Sequence, residues 1–371
     1  MTEKSDLSRR SFLERLMFGA AGVGLACSVR ETDEILAMND GRKLGVALLG
    51  LGRYATGQLG PALRETKNCQ LTAVITGTPA KGEKWMAEYG LKRSNVYSYE
   101  TMDAIAGNKE IDIVYVVTPP ALHPQYSIRA AKLGKHVISE KPMATTVEDC
   151  DRMIAAARDA KVQLGIGYRL HYEPHHLEME RATRAKELGE IQKISGGFGY
   201  VMRQRESRIT RSLSGGGPLM DVGIYVLHAA CAAVGKSPTY VTAKEEPKLN
   251  PELFNEVEEG ISWTMEFPGG EKCEGFASFN KGANQFRIEG KKGWIDISPS
   301  FSYGGIGGET NRGRMNLPAV NQQALQIDDF AACVLSGKKT GVSGELGRRD
   351  VQIMMAIYEA ARTGKRIKVN A

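Results

Sequence analysis

Cysteine is scarce and scattered in this chain: six residues in 371, with no Cys-x-x-Cys pair. That argues against a disulfide scaffold and against a thiolate metal site. Cys69, Cys150, Cys231, Cys273 and Cys333 read instead as buried thiols. No stretch reads as long and apolar enough to span a bilayer. The formal charge is +6, yet the basic residues form no run and have no aromatics interleaved, which excludes nucleic acid as an expected partner. A few of them suit an anionic group on a small ligand. No internal repeat is present. What is there, 42% hydrophobic and 25% charged residues, is enough to bury a substantial core in two domains.

The N-terminus is specific. Ser8-Arg9-Arg10-Ser11-Phe12-Leu13 precedes a mildly apolar, glycine-rich stretch from Leu16 to Ala26, the layout of a twin-arginine export signal. The expected location is periplasmic, or cytoplasmic if the signal does not function. Cleavage is expected after Ala26 or near Ala37. Cys27 hints at lipidation, against which stands Gly24, where a lipoprotein signal usually carries leucine. Residues 1–40 therefore read as signal and arm, the arm being polar and acidic.

From Lys43 to Gly167 short apolar runs alternate with helical patterns, which predicts βαβ units and a doubly wound parallel sheet over residues 41–167. After Tyr168 the texture changes to period-two strands with few helices. Residues 168–371 thus read as an α+β domain with a large, mostly antiparallel open sheet, ending in two helices that can pack back on the first domain. Ser302–Gly313 reads as a glycine-rich loop.

Gly50-Leu51-Gly52-Arg53-Tyr54-Ala55 follows a strand and opens a helix, the G-x-G-x-x-A form of a dinucleotide fingerprint. Its glycines permit a tight turn and close backbone approach, and the helix N-terminus offers N–H groups to a pyrophosphate. An NAD site usually has an acid at the end of the second strand. Here the strand ends Thr76-Gly77-Thr78-Pro79, with Lys81 following. Hydroxyls, a backbone N–H and a lysine suit a 2′-phosphate, so NADP is expected rather than NAD, with Arg53 as a further contact.

Three other segments carry candidate chemistry. Thr118-Pro119-Pro120 with His123 ends one apolar strand, and Glu140-Lys141-Pro142 ends the next. The third is Gly215-Gly216-Gly217-Pro218-Leu219-Met220-Asp221-Val222-Gly223-Ile224-Tyr225, which places Asp221 and Tyr225 four apart on one helix face. Glycine before that helix is expected to let a ligand approach its positive end. A lysine beside a tyrosine favours the phenolate, which makes carboxylate, phenol and ammonium a proton-transfer set. Taken singly, Asp221 is equally a first-turn acid complementing the helix dipole, and Tyr225 a core aromatic.

Together these motifs, with Gly134-Lys135-His136 and Gly167-Tyr168-Arg169-Leu170-His171-Tyr172-Glu173-Pro174, resemble the Gfo/Idh/MocA oxidoreductase family, and within it the glucose-fructose oxidoreductase branch. The resemblance implies a Rossmann domain, a C-terminal domain whose sheet mediates a homodimer or homotetramer, and hydride exchange between nicotinamide and a sugar carbon. It implies that Lys141 bonds the reacting oxygen and the ribose, that Tyr225 is the general base and acid, and that Asp221 positions substrate. Tyr168 and Arg169 would line the cofactor side. His171, Arg208, Arg211 and His228 are candidates for the sugar, His171 equally for a structural bond between domains. The chain departs from the branch by lacking a tryptophan in Arg205-Glu206-Ser207-Arg208-Ile209-Thr210-Arg211 and by carrying His228 where asparagine is expected. The sugar is therefore not named by the resemblance.

The leading expectation is an exported enzyme with tightly bound NADP(H), oxidising an aldose at C1 to a lactone and reducing a second carbonyl sugar. Alternatives are a sugar or cyclitol dehydrogenase using dissociable NAD(P), an NAD-dependent glycosidase, and a non-enzymatic sugar-binding protein on the same fold.

Overall fold

The computed structural model describes residues 41–370. The expected export signal and cleavage site, most of the expected arm and Cys27 lie outside the described residues.

The first unit is a six-stranded parallel sheet of β1 (Leu44–Leu49), β2 (Cys69–Ile75), β3 (Val96–Tyr97), β4 (Ile113–Val116), β5 (His136–Ser139) and β6 (Leu164–Ile166), in the order β3-β2-β1-β4-β5-β6. All six residues of β1 are buried, as a central parallel strand covered on both faces requires. The covering helices include α1 (Gly60–Glu65), entered through a wider π-type turn at Ala55–Leu59, then α2 (Pro79–Tyr89), α3 (His123–Lys132) and α4 (Val147–Asp159). Local chemistry sets their ends. Proline opens α2 and left-handed Gly90 closes it, while the Thr146 hydroxyl accepts the Asp149 N–H at the start of α4. Strand order reverses between β1 and β4, where Leu49 pairs with Val116, and a crevice opens at their carboxyl ends.

The second unit is a nine-stranded sheet: β7 (Ile191–Gly199), β8 (Tyr240–Glu245), β9 (Gly260–Glu266), β10 (Lys272–Ser278), β11 (Ala283–Gly290), β12 (Gly293–Ile297), β13 (Gly308–Thr310), β14 (Gly313–Arg314) and β15 (Ile367–Lys368), ordered β14-β13-β12-β11-β7-β10-β9-β8-β15. Every pairing is antiparallel except β7 with β10. Helix α5 (Pro174–Arg184) packs on α6 (Ile224–Val234), which lies against β7 and β10. The segment read as a glycine-rich loop contributes β13 and β14. Like β3 and β15, these are two or three residues long, too short to show a period.

The chain then returns to the first unit. In α7 (Gln322–Ser336), Ile327, Phe330 and Ala331 share an apolar cluster with Val46, Leu48 and Tyr115. The Phe330 ring lies 2.8 Å from where a Cβ on Gly165 would stand. Burying that ring contributes about 2–3 kcal/mol. Helix α8 (Gly344–Thr363) bridges α4 and β8.

One expectation is corrected here. The helical stretch Arg211–Val234 is long and apolar enough to cross a membrane by length and composition, its most apolar 18 residues having a mean hydropathy of 1.4. Its most apolar window is 78% buried inside the protein, so its apolar surface is already covered by the core.

Candidate active site

The crevice at the carboxyl ends of β1, β4 and β5 continues beneath α6 as one open cleft of about 540 Å³. On its nucleotide side, Gly50 has φ +96°, and a Cβ there would stand 2.7 Å from the Val117 carbonyl oxygen at the end of β4. Only glycine makes that turn. A Cβ on Gly52 would meet nothing within 4 Å, so the loop backbone is open to close approach from the cleft. Beyond β2, Thr76, Gly77, Thr78, Lys81 and Tyr99 line the wall, and no carboxylate joins them. The Thr76 hydroxyl accepts the Thr78 N–H at 3.2 Å, shaping the turn into α2. The buried Thr118 hydroxyl, also on the lining, has no hydrogen-bond partner. These residues fit a dinucleotide bearing a 2′-phosphate: an open glycine turn after β1, hydroxyls and a lysine after β2, and an unsatisfied donor after β4.

The chemical end is assembled from both units. Glu140 closes β5 with its carboxylate accepting from the Tyr115 hydroxyl at 2.7 Å and from the Lys141 N–H at 3.2 Å. Gln326 of α7 donates to that same Tyr115 hydroxyl at 2.7 Å. Burial raises the Glu140 carboxyl above its ordinary range, against the pull of these donors. Lys141 extends across the cleft, donates to the Asp221 carbonyl oxygen at 2.6 Å, and lies 3.6 Å from its carboxylate. Its ammonium stands 4.6 Å over the Tyr225 ring.

Asp221 sits in a widened turn, Leu219–Gly223, that leads into α6. Such a turn loosens the regular ladder of carbonyl acceptors, which leaves one for Lys141. The Tyr200 hydroxyl donates to the Asp221 carboxylate at 3.0 Å, and Arg208 lies 3.3 Å from it. Burial pushes this carboxyl up, but the Lys141 and Arg208 charges and the Tyr200 bond outweigh it and hold Asp221 below its ordinary value. Arg208 also pairs with Glu206 at 3.0 Å, and Glu206 with Arg53 of the glycine loop, so charges alternate across the cleft from one unit to the other.

The triple glycine has a packing role. A Cβ on Gly215 would stand 2.7 Å from Thr145, on Gly216 2.0 Å from the Tyr358 hydroxyl, and on Gly217 2.3 Å from the Glu258 carbonyl. The Gly217 and Leu219 N–H groups donate to the buried Glu258 carboxylate at 2.9 and 3.2 Å. The positive end of this helix is thus capped from within, and the expected ligand approach to it is corrected.

Of the residues singled out from the sequence, Gly50, Gly52, Arg53, Tyr54, Thr76, Gly77, Thr78, Lys81, Thr118, Pro119, Glu140, Lys141, Arg208, Asp221 and Tyr225 line the cleft. Others do not. His123 is a buried strut, its ring nitrogens 2.8 Å from the Thr118 carbonyl and 2.9 Å from that of Pro142. Burial pushes it down to about 4, and as a neutral ring it donates to one of these two carbonyls while packing between the strand-end loops. Arg169 is also buried, donating to the Phe301 and Ser302 carbonyls at 2.6 and 2.9 Å and to Gln322. Tyr168 stacks on His228 with centroids 4.1 Å apart, and His228 faces Asp350 at 2.6 Å. With His171 they wall a separate void of about 10 Å³ behind Tyr225. Arg211 is exposed and donates to the Glu256 carbonyl at 2.6 Å. His171, Arg211 and His228 are not on the cleft lining, helix packing or surface pairing holding them away from it.

Sequence reasoning missed Tyr99, Tyr200, Ser207 and Tyr303. An aromatic inside a glycine-rich loop was the available signal for Tyr303. The others stand beyond strand ends whose neighbours only the fold supplies.

A family model described as "Oxidoreductase family, NAD-binding Rossmann fold" matches residues 44–168, and one described as "GFO/IDH/MocA C-terminal domain" matches residues 176–296. An aldose-aldose oxidoreductase from Caulobacter crescentus, solved with glycerol, is 39% identical with a TM-score of 0.86, covering 88% of this chain and 100% of that one. A D-xylose 1-dehydrogenase [NADP(+)] from Haloarcula marismortui is 26% identical over 87% of this chain and 92% of its own length. A 3-ketoreductase from Actinomadura kijaniata, solved with NADP, shares the fold at 22% identity and a TM-score of 0.75, over 86% of this chain and 98% of that one.

Proposed function

The chain belongs to the Gfo/Idh/MocA oxidoreductase family, and on that premise we propose that it oxidises an aldose at C1 to a lactone using a tightly held NADP, then reduces a second carbonyl sugar. At the coarser level it is a nicotinamide-dependent sugar oxidoreductase. The observation that carries the finer reading is the meeting of Lys141 and Tyr225, from different units, in the cleft that the dinucleotide loop opens.

Gly50, Gly52, Thr76, Thr78, Lys81 and Thr118 would hold the dinucleotide, whose nicotinamide supplies the acceptor and later the donor of hydride. Lys141, held by the Asp221 carbonyl, directs its remaining N–H groups at the reacting oxygen. Tyr225 takes the proton of the C1 hydroxyl and returns it to the carbonyl oxygen of the second sugar, so no net proton is exchanged over the cycle. Asp221, charged and braced by Tyr200 and Arg208, orients sugar hydroxyls.

The arginine pair at Arg9-Arg10 supports export in the folded state, and an enzyme outside the cytoplasm has no pool from which to replace its cofactor. The outer face of the nine-stranded sheet is the proposed contact of a homodimer or homotetramer. A second reading, a dehydrogenase with dissociable NAD(P), draws on the name of the D-xylose relative. One experiment separates them: denature the purified protein and assay the supernatant. Stoichiometric NADP(H), with 340-nm absorbance rising on an aldose and falling on a second sugar, supports the first reading, and its absence rules that reading out.

A further inference from the structure

Tyr303 stands apart from the other aromatics. It is 49% exposed in a protein whose large apolar side chains are mostly covered, yet it lines the reaction cleft. It comes from the short connection between β12 and β13, followed by Gly304 and by Gly305 at φ +68°. A loop of that composition does not hold an aromatic in place by itself, and here the holding is external. The buried Arg169 grips the carbonyls of Phe301 and Ser302, just before Tyr303, and its guanidinium lies 4.5 Å from the Tyr303 ring. The same guanidinium lies 5.0 Å from the Tyr225 ring. Tyr54, of the dinucleotide loop, meets Tyr303 at 5.7 Å between centroids. One cation thus fixes two tyrosines at the chemical end of the cleft, one largely covered and one with open ring surface.

The geometry points to Tyr303 as the platform on which the sugar ring lies: its aromatic surface covers the C–H face of the pyranose or furanose while the hydroxyls meet Asp221, Lys141 and Arg208. Tyr303 is then a sugar-binding residue and Arg169 its positioning residue. A flat aromatic contacts C–H groups without reading any single hydroxyl. It therefore admits more than one sugar, which a two-sugar cycle requires. This rests on the reading of the protein as an aldose oxidoreductase.

The test uses the full-length holoenzyme, with D-glucose and D-xylose as probes. In single turnovers of the oxidised holoenzyme followed at 340 nm, Tyr303→Ala raises the half-saturating sugar concentration about tenfold or more, leaves the limiting rate within about threefold and leaves bound cofactor unchanged. Tyr303→Phe keeps the half-saturation within about twofold. An unchanged half-saturation in Tyr303→Ala overturns the proposal, as does Tyr303→Phe matching its loss. Arg169→Lys, which keeps charge but not the planar fork, raises the same constant and adds nothing to that constant on top of Tyr303→Ala, its contact with Tyr225 being read in the limiting rate. Additive effects break the link to Arg169. Saturation-transfer NMR reads sugar contact without turnover. If the wild type reduces no cofactor but shows contact that Tyr303→Ala removes, the oxidoreductase reading fails and the platform stands. If neither reaction nor contact is found, both fail.

Discussion

The ammonium of Lys141 donates to the backbone carbonyl of Asp221 at 2.6 Å, across 80 residues of sequence. One partner ends a parallel strand and the other lies in the first turn of a helix in the second domain. The bond goes to the main chain, so the position of Lys141 depends on the shape of that widened turn more than on the identity of the side chain. Lys141 is thereby aimed past Asp221 at the face of Tyr225.

Removing the phenol isolates the proton step. Tyr225→Phe keeps the ring over which Lys141 and Arg169 lie but carries no proton. Aldose oxidation is expected to fall about 10²- to 10⁴-fold while the bound cofactor is retained. Single-turnover absorbance at 340 nm with released-cofactor assay checks it. Undiminished oxidation would falsify the role given to Tyr225.

Asp221 makes a pH prediction. Its folded-state value lies below the ordinary 3.8, so it contributes stability that is present above the unfolded value and lost as pH falls through the lower folded one. Arg208→Gln removes one of the two cations that hold it down. The acid limbs of both stability and aldose oxidation should then move to higher pH. Thermal melts and rates between about pH 3 and pH 7 decide it. A limb that stays in place, or moves down, contradicts the assignment.

Cofactor choice is open to exchange at the second strand. A Cβ on Gly77 would stand 3.0 Å from the Tyr99 ring, so the acid of an NAD site is better introduced one residue on. Thr78→Asp places a carboxylate where the 2′-phosphate is expected, and Lys81→Ala removes the facing cation. Together they should weaken NADP at least about tenfold relative to NAD. Titration of cofactor-free protein with each nucleotide measures the ratio, and unaltered preference for NADP counts against these residues as its readers.

The glycines divide into two kinds, and stability tells them apart. Gly216→Ala drives a methyl into the Tyr358 hydroxyl, which itself donates to Glu258 at 2.7 Å. It should cost about 1–3 kcal/mol and lower Tm by a few degrees. Gly52→Ala adds a methyl in open space, so Tm should hold while cofactor retention falls. Calorimetry with a released-cofactor assay distinguishes the two. The reverse pattern would mean that the triple glycine serves the ligand and the fingerprint serves the packing.

Much of this was legible in the residues themselves. The first unit announced itself because a central parallel strand must be apolar throughout, as β1 is, and its turn must carry glycine, as Gly50 does. Glu140-Lys141-Pro142 and the run from Gly215 to Tyr225 marked the chemical end, because charge at a strand end and small residues before a helix are costly without a use. Strands of two or three residues left no period to read. His123 follows a strand end, and the resemblance places Arg169 and His228 at the site, yet none of the three is on the cleft lining.

Sequence alone therefore determined the local matters: which segments are strand or helix, where a dinucleotide turn lies, and which lysine, aspartate and tyrosine are worth watching. Those follow from spacing, side-chain volume and backbone freedom within a few residues. Only the tertiary structure decided that Lys141 reaches the Asp221 carbonyl, that Glu258 caps the helix a ligand was expected to approach, and that Arg169 lies against Tyr303, off the cleft lining. Each of these joins residues tens to more than a hundred positions apart. Such contacts are set by how two sheets and their returning helices pack, and no local pattern encodes that.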